Sequence, residues 1–274
     1  MKFNKKILEA VNKGIKLALD DYEDLNNQNN QTNSNDVIDT HNVVYDYLYG
    51  GFVDLGLPSG TKWCKYNLGG KGEDYYGALY SWGELEAKDT YYDCSYKYYA
   101  AYTDWSKYKE GEDKFRYSCE HVICDLTKYC PSSKRGYQGY HDKYIHLLPE
   151  DDAATQMLDS RFKIPSEKDF KELLTYTDVS WDNEKRGYRF TSRVDKSTYI
   201  FLPLAGFKRD DVHNWREQGK RFAVDYQGIY WTSDLNEYGP DLAMVFEFDS
   251  SITGKPSITS TKRWYGCSIR PVVK

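Results

Sequence analysis

Apolar positions near the start of the chain recur at intervals of four and three: Phe3, Ile7, Val11, Ile15, Ala18, Tyr22 and Leu25. That spacing places them on one stripe of a helix about 33 Å long. The charges oppose the helix dipole, with Lys2, Lys5 and Lys6 at the positive end and Asp20, Asp21, Glu23 and Asp24 at the negative end. A rod of this kind is stabilised by burying its stripe against a partner, so residues 1–25 are expected to form a docking or oligomerisation element. The spacing is close to that of a coiled coil, although Lys13 and Gly14 interrupt it. Residues 26–36, NNQNNQTNSND, lack the apolar groups that offset the entropy of ordering. With an apolar lead-in from Val43 to Gly51, they make residues 26–50 a polar linker.

Beyond residue 50 the pattern changes to short runs separated by glycine-bearing loops. The stretches TYIFLPLAGF (198–207), GIYWTSD (228–234), DLAMVFEFD (241–249) and CSIRPVV (267–273) are rich in β-branched and aromatic residues and are bounded by turn formers, which predicts strands. The clearest helix is SEKDFKELLTY, where Ser166 caps the start and Asp169 takes the place of the usual Glu in a capping box. Phe170, Leu173 and Leu174 then face inward at helical spacing. A few helices, many loops and small antiparallel sheets predict an α+β domain over residues 51–274.

Composition narrows the function more than the fold. Net charge is −5, and no stretch gathers Lys and Arg as a phosphate-tracking groove requires, so nucleic acid is not an expected partner. No run of about 18 apolar residues is present to cross a membrane as a helix. Lys13, Lys16, Asp20 and Asp21 break up what would be the apolar region of an export signal, and no signal peptide is expected. Six cysteines stand at 64, 94, 119, 124, 130 and 267. Cys119, His121, Cys124 and Cys130, with His141 and His146 beyond, follow no common zinc spacing, so no metal or other cofactor is expected. The 27 tyrosines, beside 7 Trp and 11 Phe, suit either a wet core or a binding surface.

Eight ordered strings carry a resemblance: FVDLGLPSGTKW (52–63), YGALYSWGE (76–84), LTKYC (126–130), EDDAA (150–154), RFKIPSEKDFKELL (161–174), FLPLAGF (201–207), GIYWTSD (228–234) and YGCSIRPV (265–272). Together they resemble the Fibrobacter succinogenes major paralogous domain of Bacteroidetes, a relative of C-type-lectin-like folds. The resemblance implies a lectin-like α+β domain whose first and last strands lie together, with two flanking helices and long loops displaying a variable surface. Two features depart from that pattern. An amphipathic helix stands where an export or lipoprotein signal is usual, and residues 91–149 are longer and richer in Tyr and Cys.

Reactive chemistry is thin. Calcium-dependent sugar binding needs a set of oxygen ligands. Glu237 and Asp241 around Pro240 lack an amide, and Trp181-Asp182-Asn183 has the wrong order. Cys267 has no second Cys nearby, no histidine sits in a nucleophile motif, and Arg270 before Pro271 reads as a structural arginine, so no enzyme is expected. Binding is the remaining class. Sugar rings stack on exposed aromatics while charged neighbours hold their hydroxyls. The candidate positions are Trp215 with Arg216, Tyr238 near Asp241, and Trp264 beside Arg263, each of which could equally pack against its own loop. The expected whole is a virion display protein of a phage infecting Bacteroidetes: a head fibre, decoration or tail-associated component. It would be docked on other virion proteins through its helix, homo-oligomeric, and directed at a host-surface glycan. The alternative is a bacterial glycan-binding protein acting outside any virion.

Overall fold

The computed structural model describes residues 51–70, 76–114, 121–210, 219–251 and 255–274. The expected helix at 1–25, the linker at 26–50, and Trp215 and Arg216 lie outside the described residues. In chain order the elements are β1 (Phe52–Val53), β2 (Lys62–Cys64), β3 (Tyr99–Thr103), β4 (Val122–Leu126), α1 (Ala153–Met157), β5 (Phe162–Lys163), α2 (Glu167–Tyr176), β6 (Thr177–Asp182), β7 (Gly187–Ser192), β8 (Tyr199–Pro203), β9 (Phe207–Lys208), β10 (Arg221–Phe222), β11 (Gln227–Leu235), β12 (Leu242–Asp249), β13 (Ser257–Lys262) and β14 (Val272–Val273). The architecture is α+β and sheet-rich.

All strand pairs among the described residues are antiparallel. One sheet runs β1-β2-β14-β5, so the beginning and end of the described chain are joined where Val272 pairs with both Trp63 and Lys163. Two three-stranded sheets, β6-β7-β8 and β11-β12-β13, and the ribbons β3-β4 and β9-β10 complete the set. The C-terminal run differs from expectation: only Val272–Val273 is a strand, and Cys267 and Ser268 make isolated bridges to Tyr80 and Tyr230. Pro271 has no N–H to give to a ladder, which breaks the run.

Side chains alternate across β11 and β12, and this alternation divides the core in two. Trp231 and Val245 face a cluster with Trp82, Tyr96, Tyr129 and Cys267. Tyr230, Phe246 and Phe248 face another with Trp63, Phe170, Phe190 and Ile200. Helix α2 closes the second. Ser166 accepts from the Asp169 amide, Asp169 accepts in return from the Ser166 amide at 2.8 Å, and Phe170 stacks on Phe246 at 4.4 Å. Burying an aromatic ring of this size contributes about 2–3 kcal/mol.

Four tyrosines of the 91–149 segment, Tyr91, Tyr96, Tyr98 and Tyr129, are core residues. The Tyr96 hydroxyl donates to the Trp82 carbonyl at 2.7 Å and that of Tyr98 to Gly83 at 2.9 Å. Tyr91 donates likewise to the Leu79 carbonyl. Each ring fills apolar space while its tip satisfies a loop carbonyl, which removes the penalty of burying a hydroxyl. Arg270 is structural, as expected: its guanidinium donates to Asn67 Oδ1 at 2.8 Å and to the carbonyls of Cys64, Lys65 and Phe201, tying the C-terminal end to β2 and β8.

Candidate functional site

The turn between β11 and β12 carries Tyr238 and Asp241. Asn236 Oδ1 accepts from the amides of Tyr238 (2.9 Å) and Gly239 (3.0 Å), and the Leu242 amide reaches the Gly239 carbonyl at 2.7 Å, so the turn is set by its own polar side chain. Tyr238 projects from it with 97% of its surface exposed. Asp241 is committed elsewhere: its carboxylate pairs with Arg135 Nη2 at 2.5 Å and receives the Tyr99 hydroxyl at 3.4 Å.

Arg263 is not at a loop surface. It is fully enclosed, donates Nη1 to the Tyr129 carbonyl at 3.1 Å, and lays its guanidinium over Trp82 (5.7 Å) and Tyr96 (5.6 Å). Two ring faces take the place of water for this cation. Trp264 is half-buried, edge-on to Tyr265 at 4.5 Å. Of the four described candidates, Tyr238 lines a cleft.

That cleft, about 640 Å³, lies between the start of α2, the segment Ile145–His146 and the turn holding Tyr238. Residues 145–147 run beside the end of β11, with the Leu235 amide on the Ile145 carbonyl (2.8 Å) and the Leu147 amide on the Ser233 carbonyl (2.8 Å). Asp234, buried at the join, pairs its Oδ1 with His146 Nδ1 at 2.5 Å and accepts the Glu167 amide on Oδ2. It therefore fixes the imidazole and satisfies one of the free amides in the first turn of α2. Met244, Ile145 and Leu235 give apolar wall, while Lys168, Lys171, Glu237 and Asn236 supply polar groups.

The cleft has the parts of a binding site and lacks a nucleophile set. Ser166, its serine, donates its hydroxyl to Asp169 at 2.7 Å and is bound into the cap. Two thiols elsewhere are buried and quenched: burial, only partly offset by Arg270, pushes Cys64 up to about 12, and burial holds Cys267 well above the usual thiol range. Among the described residues no three His, Cys, Asp or Glu side chains converge as a metal site, and no helix is long and apolar enough to cross a membrane. His146, Asp234 and the two lysines were not apparent from sequence. The His146–Asp234 pair is 88 residues apart, and the one local signal was the strand run that ends at Asp234.

Comparison of the chain with family models, curated proteins and solved structures yields no match.

Proposed function

We propose that this is a non-enzymatic display protein whose lectin-like domain, residues 51–274, binds a glycan in the cleft beside Tyr238. One observation carries the binding reading: an almost fully exposed tyrosine ring on a self-braced turn, over a cleft with apolar wall and polar rim. A pyranose presents an apolar face to such a ring and hydroxyls to the rim. The sheet joining the two ends of the domain and the pair of helices accord with the lectin-like resemblance. The apolar stripe at Phe3–Leu25 and the polar run behind it support anchoring on other virion proteins, as a homo-oligomeric head-fibre, decoration or tail-associated component of a phage of Bacteroidetes.

Glycan-array binding by the full chain, compared with Tyr238→Ala, tests the site. The substitution is expected to reduce binding at least about tenfold, equivalent to about 1.4 kcal/mol. Unchanged binding would remove the cleft from consideration. Mass spectrometry of purified particles tests the setting. Presence there supports the display role, and absence together with retained glycan binding favours a bacterial glycan-binding protein acting outside any virion.

A further inference from the structure

A second surface, sharing no residue with the cleft, is formed where the β6-β7 hairpin tip meets the segment before β11. Here the Arg186 guanidinium stands over the rings of Trp181 and Tyr226, with its carbon 6.0 Å from each centroid, and Nη2 donates to the Asp225 carbonyl at 2.6 Å. Among the described residues no carboxylate pairs with it. The nearby acids have partners of their own: Asp182 takes Arg189 at 3.1 Å and the Lys185 amide at 2.9 Å, and Asp225 takes the Tyr76 hydroxyl. Glu184, also at the tip, is exposed. Trp181 is half-buried and braced edge-on by Tyr188 at 5.2 Å, whereas Tyr226 keeps 66% of its surface in solvent.

The backbone holding these groups is unusual. Arg186, Ala223 and Asp225 all have left-handed φ (57°, 53° and 62°), which L side chains rarely adopt. Arg186 and Asp225 are joined through Leu204, whose amide donates to Arg186 O (3.1 Å) and whose carbonyl accepts from the Asp225 amide (3.0 Å). Glycine would relieve each position, yet none has it. Left-handed backbone at three non-glycine positions thus lies around a cation that stands over two rings and has no carboxylate partner among the described residues.

We infer that Trp181, Arg186 and Tyr226 form a binding site for an acidic saccharide, a pyranose bearing a carboxylate. The free edge of the guanidinium offers N–H donors to the carboxylate, and the open surface of Tyr226 takes the apolar face of the ring. A phosphate ligand fits less well, because it needs several converging donors, and here one guanidinium stands among aromatic rings. The assignment stands whether or not the cleft beside Tyr238 binds a glycan.

Calorimetric titration of the full chain with a galacturonic acid trimer, its methyl ester and glutarate tests this. The acid trimer is expected to bind, with the uncharged ester at least about tenfold weaker, because a charge-assisted hydrogen bond is lost. Glutarate, a carboxylate without a sugar ring, should be weaker still. Arg186→Met should abolish binding of the trimer and Arg186→Lys should weaken it, since an ammonium lacks the planar fork. Tyr226→Ala, whose exposed side chain makes it safe for folding, should also weaken it, and Tyr238→Ala should leave it unchanged. Failure of the wild type to bind the trimer, equal binding of the ester or of glutarate, or full affinity in Tyr226→Ala would each overturn the assignment.

Discussion

Asp151 makes a sharp test of how the tyrosine-rich segment is held. Its side chain is only 4% exposed, yet it receives Lys128 Nζ at 2.5 Å, Lys97 Nζ at 3.0 Å and the Tyr129 hydroxyl at 2.7 Å. Burial by itself would raise its carboxyl, but the hydrogen bonds from Lys128, Tyr129 and Lys97 outweigh that and lower it from 3.8 to about 2. Because the folded state holds the proton less tightly than the unfolded one, the ionised group stabilises the fold above the unfolded value, and this is lost as pH falls through the folded one. At about 1.4 kcal/mol per pH unit, the contribution is about 2 kcal/mol at pH 7, about half of that at pH 3, and little at pH 2. Urea unfolding of the full chain and of Asp151→Asn, compared at pH 7, 5 and 3, reads the difference directly, since exposed carboxylates common to both cancel. A gap of about 2 kcal/mol at neutral pH that narrows on acidification is expected. A gap that stays constant with pH, or none at pH 7, would show that the network does not depend on the charge.

Other outcomes follow from single contacts. Ser166→Ala should cost about 1 kcal/mol in urea unfolding by removing the α2 cap, and no loss would mean that Asp234 suffices to secure the start of that helix. At position 186 the usual order of residues should reverse, with Arg186→Gly more stable than Arg186→Ala by about 1 kcal/mol in the same assay; Ala at or above Gly would show that the left-handed backbone is not imposed there. Tyr96→Phe should cost about 1 kcal/mol, measured by the thermal midpoint, by leaving the Trp82 carbonyl without its buried donor. A thiol reagent at pH 8 should label exposed Cys94 in the native state and reach Cys64 and Cys267 only on unfolding, which peptide mapping of the modified protein checks.

Local patterns proved readable and distant pairings did not. The Ser166–Asp169 box, the inward Phe170 and Leu173, and the strands β8, β11 and β12 all follow from spacings of a few residues. Arg270 as a structural arginine and Cys267 as a buried thiol were also evident from their strand-like neighbours. Arg263 misled because an arginine beside a tryptophan reads the same whether the pair faces solvent or lines a core of rings; Trp82 and Tyr96, which enclose it, are more than 160 positions away in sequence. The cleft escaped notice for a similar reason, since His146, Glu167 and Asp234 become neighbours only after β11 is laid beside residues 145–147. Tyrosine content left core and surface open. Hydroxyl contacts decide it: Tyr96 and Tyr98 point their tips at carbonyls, while Tyr238 and Tyr226 stay in water.

The shared wall formed by β11 and β12 has a mechanical consequence. Trp231 and Tyr230 are adjacent in the chain yet anchor opposite cores, so loosening one hydrophobic cluster displaces the strand that seals the other. Strand β2 adds a second tie, with Trp63 in one cluster and Cys64 in the other. The two clusters are therefore expected to unfold together, so that damage by heat or protease at one face is felt at the other.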